Sequence, residues 1–195
     1  SDTMNTCLRQ VAGTIITTIS VTRGPGLNQP NKISLHGSGN LYIADTNNHR
    51  IRKLTLDGIT TVAGTGSAGY SVGPSATSAQ LSSPQGVFVD AMDASENIYI
   101  ADTDNQLIRK VTAGNITTVA GKTGQDGYDN DDKPATSAKL NFPKGVFAET
   151  PGIFFIADTK NHRIRKVDST GTITTVAGNG TSGYSGDSGS ATSAM

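Results

Sequence analysis

The stretch YIADTNNHRIRKLT, Tyr42 to Thr55, reads in isolation like a reactive site, with an aspartate, a histidine and two arginines close behind an apolar run. The same phrase returns as YIADTDNQLIRKVT from Tyr99 and as FIADTKNHRIRKVD from Phe155. Other phrases keep the same beat. ADT begins at Ala44, Ala101 and Ala157, spacings of 57 and 56 residues. TTVAG begins at Thr60, Thr117 and Thr174, both spacings 57, and ATSA begins at Ala76, Ala135 and Ala191, spacings of 59 and 56. A fixed period of this size marks a repeat architecture. A matching half-unit opens the chain, where LRQVAGTIITTIS from Leu8 aligns with IRKVTAGNITTVA from Ile108.

Each unit holds four short runs of β-branched and aromatic residues bounded by Gly, Asn and Asp, which read as strands. The first follows Pro30, Pro84 or Pro143; the second is NLYIAD, NIYIAD or IFFIAD; the third is HRIRKL, QLIRKV or HRIRKV; the fourth is GITTVAG, NITTVAG or TITTVAG. Gly13, Gly58, Gly114 and Gly171 mark the turn before the fourth. No segment shows a helical period. Leu41 and Ile43 share one face of a strand, Tyr42 and Ala44 the other, and both faces are apolar, as a sheet sandwiched between two neighbours requires. Four strands in a unit of this length make a β-propeller blade. The chain is therefore expected to be all-β, one propeller domain of about three and a half four-stranded blades. Residues 1–29 form a half-blade of two strands, and the full repeats are 30–83, 84–142 and 143–195.

The phrases PxGV, YIADTxNHRIRKV and GxITTVAG resemble the NHL repeat. GYSVGPSATSAQL from Gly69, GYDNDDKPATSAKL from Gly127 and GYSGDSGSATSAM from Gly183 resemble the inter-blade loop of its long variant. The resemblance runs from about Leu8 to the end. It departs at Gln106 and Leu107, which stand where the other units have His and Arg, at Lys32 in place of Gly, and in the longer link DAMDASEN of the second unit. The resemblance implies a propeller with more blades than this chain holds. Both ends cut through a unit, so the chain is expected to be a piece of a longer propeller. Closure of the open faces by further copies is the other reading. The resemblance also implies a binding or structural module for a protein partner, or a glycan. Some similar propellers are lyases or metal-dependent hydrolases, and some bind RNA.

The repeated phrase is read as a structural hairpin carried by Asp45, Asn48, His49 and Arg50; by Asp102, Asn105 and Arg109; and by Asp158, Asn161, His162 and Arg163. Asp and Asn there can take up the backbone donors of a turn or hold an arginine, and Ile51, Ile108 and Ile164 plug the core. A metal or acid–base site at Asp45 and His49 is the rival reading, but a catalytic site is single, and this one is copied with Gln106 in the middle copy. No catalytic or cofactor-binding residue is assigned, and His36 is given no role. The innermost-strand runs ISL, VFV and VFA offer no polar ligands to a central channel.

Asp126, Asp129, Asp131 and Asp132 form the most acidic stretch, a weak candidate calcium loop whose spacing does not match an EF-hand. Arg50, Arg52, Lys53, Arg109, Lys110, Arg163, Arg165 and Lys166 would make an RNA surface. Against it stand 16 basic and 16 acidic residues, a net charge of zero, and few aromatics for stacking. No window approaches the ~20 apolar residues of a membrane span. Cys7, the only cysteine, excludes an internal disulfide framework. Asn115 and Asn179 lie in sequons that matter only in a secreted chain. The abundance of Thr, Ser and Asn leans toward an extracellular or surface setting.

Overall fold

The computed structural model describes residues 8–12, 15–19, 26–90, 96–150 and 152–195. Cys7, Gly13 and the middle of the DAMDASEN link lie outside them. A hairpin of β1 (Leu8–Ala12) and β2 (Ile15–Ile19) leads. Blade 1 follows as an antiparallel sheet of β3 (Pro30–Leu35), β4 (Leu41–Asp45), β5 (Arg50–Thr55) and β6 (Gly58–Ala63). Blade 2 repeats the order with β7 (Gly86–Val89), β8 (Ile98–Asp102), β9 (Leu107–Thr112) and β10 (Asn115–Ala120). Before blade 3 comes the two-residue strand β11 (Lys133–Pro134), which pairs onto that blade's last strand. Blade 3 itself is β12 (Pro143–Thr150), β13 (Ile153–Asp158), β14 (Arg163–Val167) and β15 (Thr172–Ala177). The chain folds as β-propeller blades, each strand pairing with the next in sequence. The first strands β3, β7 and β12 lie against one another. The Phe88 and Phe147 rings meet edge-on between β7 and β12, centroids 4.9 Å apart.

Strand alternation sorts the core into seams between blades. Tyr42, Ala44 and Ile51 of blade 1 pack with Val87, Ile98 and Ile100 of blade 2. Tyr99, Ala101 and Ile108 of blade 2 pack with Val146, Phe154 and Ile156 of blade 3. The opposite face of β4 turns Ile43 toward Leu27 and Ile59. Each large aliphatic buried this way contributes roughly 1.5–3 kcal/mol.

The end faces differ from the seams. Ile51 and Ile108 are fully buried, but Ile164, expected to plug the core in the same way, is 40% exposed, and Phe147 is 54% exposed. The reason is local: among the described residues no sheet packs on the trailing face of blade 3. On the leading face of blade 1, Ile33 is exposed and Leu35 is 66% exposed.

Candidate binding surface

The hairpin between the second and third strands is built around a buried carboxylate. Asp45, Asp102 and Asp158 have no exposed surface. One oxygen of each accepts a backbone N–H from the segment entering its blade, from Asn28 (2.8 Å), Ser82 (2.7 Å) or Asn141 (2.7 Å). The other accepts from the side chain of Asn48 (2.9 Å), Asn105 (2.9 Å) or Asn161 (2.8 Å). The same amides donate to the carbonyls of Gly26, Gly69 and Gly127. The third partner is a buried arginine: Arg52 at 3.5 Å, Arg109 at 3.4 Å and Arg165 at 3.3 Å.

Of the arginines grouped with the hairpin, Arg109 is the one that meets its aspartate. Arg50 and Arg163, beside the histidines, do not hold the aspartates. Their guanidiniums donate to the carbonyls of Thr65 (2.7 Å) and Asn179 (2.9 Å) and steady the loop after the fourth strand. Arg52 and Arg165, grouped in the sequence with a nucleic-acid surface, are buried, as is Arg109. A signal was present: the Arg50 position reads Leu107 in blade 2, whereas Arg52, Arg109 and Arg165 recur in all three units.

The histidine of blade 1 acts as an acceptor. Each hairpin histidine ends a 3₁₀ turn in the left-handed conformation, His49 at φ 51° and His162 at φ 50°, with Gln106 at φ 62° in the middle copy. His49 Nδ1 accepts the N–H of Ser83 at 3.0 Å, so its ring proton sits on Nε2. In blade 2 the Gln106 side-chain oxygen accepts the N–H of Phe142. Both residues supply one acceptor at the same place, which accounts for the Gln. Alongside, the Thr46 and Thr103 hydroxyls donate to the carbonyls of Pro84 and Pro143, both at 2.8 Å.

Three long loops, residues 64–80, 121–139 and 178–194, follow the fourth strands. Each is pinned at its start by a backbone bond of 2.9 Å, Gly64 to Ala76, Gly121 to Ala135 and Gly178 to Ala191. Tyr70 lies 5.0 Å beneath the Arg109 guanidinium, and Tyr128 lies 4.0 Å from Arg163 and 5.0 Å from Arg165. Arg109 also donates to the Ser71 carbonyl at 3.1 Å. Tyr184, in the third loop, is 85% exposed and donates its hydroxyl to Asp187 at 2.7 Å.

The acidic loop is engaged by cations and donors. Asp129 pairs with Lys133 and accepts the Lys139 N–H. Asp131 pairs with Arg165 at 2.8 Å and accepts the Thr175 hydroxyl at 3.1 Å. Among the described residues no group of three or more His, Cys, Asp or Glu is placed to hold a metal ion. No described helix is long and apolar enough to cross a membrane. Asn115 is exposed at the start of β10, while the Asn179 amide donates to the Ser193 carbonyl.

Sequence reasoning missed one cluster. Glu96, at the end of the long link of blade 2, accepts the Tyr42 hydroxyl and the Lys53 ammonium, both at 2.8 Å, with His36 Nδ1 4.0 Å away. The hydrogen bond from Lys53 holds the Glu96 carboxyl below its ordinary value, while burial raises the Tyr42 hydroxyl. The extra length of the link was its only trace in the sequence.

Burial pushes Asp102 from 3.8 up to about 6, and it pushes Asp158 upward too. A carboxyl raised by folding takes a proton in the folded chain before the unfolded one does. Stability therefore rises as pH falls from about 6 toward 4, by up to about 3 kcal/mol from Asp102. At still lower pH, carboxylates held low by their partners, Glu96 among them, lose their contribution. The melting temperature is expected to be higher at pH 5 than at pH 7, and a steady fall on acidification, followed by circular dichroism, would contradict this.

Comparison with known proteins accords with this geometry. Residues 27–54 match the family model described as NHL repeat. NHL repeat-containing protein 2 of Bos taurus is 37% identical over 146 residues, 69% of this chain and 19% of that protein. A crystal structure of an auxiliary nutrient binding protein from Bacteroides thetaiotaomicron superposes with a TM-score of 0.63 at 26% identity, over 83% of this chain and 40% of that one. Virginiamycin B lyase from Staphylococcus aureus superposes over 90% of this chain and 50% of that one, with a TM-score of 0.54 at 14% identity, a likeness of fold alone.

Proposed function

We propose that this NHL-repeat propeller is a non-catalytic binding scaffold that presents its long inter-blade loops to a protein partner. The observation that carries the reading is how the loops are fastened. Each starts from a pinned glycine, and the first two are clamped by a buried arginine of the blade they enter. Loops held this way offer a preformed surface, so little ordering entropy is lost on binding. The nutrient-binding relative supports a binding role in general terms. The non-catalytic reading is supported by the hairpin carboxylates and His49, which are taken up by structural donors.

The test uses exposed loop residues that carry no part of the clamp. Val72→Asp with Tyr184→Ser should weaken retention of the cross-linked natural partner about tenfold or more. The melting temperature should stay nearly unchanged, since surface changes away from special contacts cost within about 0.5 kcal/mol. Retention that ignores the loop variants would overturn the reading. So would a metal-dependent lyase or hydrolase turnover, or salt-sensitive binding of single-stranded RNA.

A further inference from the structure

The two sequons sit in different surroundings. Asn115 opens β10 out of a left-handed turn, Ala113 at φ 49° and Gly114 at φ 79°. It is exposed, and its side-chain amide makes no hydrogen bond among the described residues. Thr117, the third sequon residue, projects from the same face of the strand and is exposed as well. Ile116 between them is buried and holds the strand down. Strand alternation thus offers the acceptor amide and the sequon hydroxyl side by side to solvent.

Asn179 is built in. Its side-chain nitrogen donates to the Ser193 carbonyl at 3.1 Å, and its side-chain oxygen accepts the Thr181 N–H at 2.8 Å. Its own carbonyl accepts Arg163 at 2.9 Å. The nitrogen that would carry a sugar is already used to close the third loop.

Asn115 also marks an uncovered edge. In blade 3 the outer edge of β15 is covered by β11, which pairs Pro134 with Thr172 and Lys133 with Ile173. Asn115 and Ile116 are the matching residues of β10. There the preceding loop is shorter, 12 residues from Gly64 to Ala76 against 14 from Gly121 to Ala135. Among the described residues no strand pairs with that edge. One backbone bond reaches it, from Ala76 to the Gly114 carbonyl at 2.7 Å. Blade 3 has the equivalent bond, Ala135 to Gly171, and a second from Asp132 to Ile173. An open strand edge is a template for pairing with another chain, and proteins cover or block it.

We propose that Asn115 is an N-glycan acceptor, that Asn179 is not, and that the glycan blocks the edge of β10 which β11 covers in blade 3. The proposal goes beyond the scaffold reading and commits the chain to a secretory setting. The sugar comes from a lipid-linked oligosaccharyl pyrophosphate. The Asn115 side-chain nitrogen bonds the anomeric carbon and gives up one proton. The bond from that carbon to the pyrophosphate breaks, and the lipid pyrophosphate leaves. Asn115 and Thr117 supply the sequon that directs this transfer.

The test begins with the chain purified from its own source, treated with an N-glycosidase in heavy-oxygen water, digested and weighed peptide by peptide. The label is expected at Asn115 and not at Asn179. In the secreted chain, Asn115→Gln and Thr117→Ala should each lose the glycosidase-sensitive mobility shift, while Asn179→Gln should leave it unchanged. Thr117→Ser should keep it, which separates the sequon requirement from folding damage. No label at Asn115, or any label at Asn179, overturns the assignment. Light scattering at equal concentrations then compares the glycosylated chain with Asn115→Gln, which should self-associate more. Equal association of the two overturns the edge role.

Discussion

Arg109→Ala is expected to destabilise the chain by about 3–5 kcal/mol at neutral pH, roughly 10 °C in melting temperature. Arg109 is among the largest side chains with no exposed surface, so truncation leaves a cavity. It also strips a buried carboxylate of its counter-ion, and breaking such a pair from one side leaves the other charge uncompensated. The Arg109 charge and hydrogen bond both act to lower the Asp102 pKa against its burial. Without them the carboxyl moves further upward, so the variant should recover part of its lost stability between pH 7 and pH 5. Denaturant unfolding at the two pH values measures this. Equal losses at both would mean that the pair matters only as volume.

Gly121→Ala should cost at least about 3 kcal/mol and is expected to leave little folded chain at 37 °C. Gly121 has φ +92°, and a Cβ there would fall on the Gln106 carbonyl oxygen, with the Leu107 Cα only 3.0 Å away. Those are backbone atoms of a paired hairpin and have no rotamer by which to yield. The same conflict stands at Gly64 with His49 and at Gly178 with His162. Gly114→Ala is the control. It also has a positive φ, +79°, but nothing lies within 4 Å of the added carbon, so only the left-handed strain of about 1–2 kcal/mol applies. Soluble yield and melting temperature of the two variants should part sharply; similar losses would refute the steric account.

The period of ADT, TTVAG and ATSA made the blades legible, because a β-blade must repeat both its strand count and its turn chemistry. The doubly apolar second strand, Tyr42 and Ala44 against Leu41 and Ile43, told of neighbours on both sides, and the seams contain those residues. The binding surface was less legible. Arg50 and Arg52 share one face of β5, so strand parity cannot tell which reaches Asp45; depth in the seam decides it. The role of His49 depends on an N–H 34 residues away, brought near only when blade 2 stacks. Ile164 has the sequence of a core residue and the exposure of a surface one, because burial belongs to the neighbour that covers a face and not to the strand that offers it.

Arg163 has a consequence of its own. One terminal nitrogen donates to the Asn179 carbonyl in the third loop, and its guanidinium plane lies 4.0 Å from the Tyr128 ring of the second. Two neighbouring loops thus share one side chain, which cannot move for one without moving for the other. A ligand that draws Tyr128 away shifts the free energy of the loop around Asn179, and by reciprocity a ligand on that loop shifts affinity at Tyr128. Blade 2 has Leu107 at the equivalent place, so no such bond ties the first loop to the second there. The second and third loops are therefore tied through one side chain, and the first loop lacks that tie.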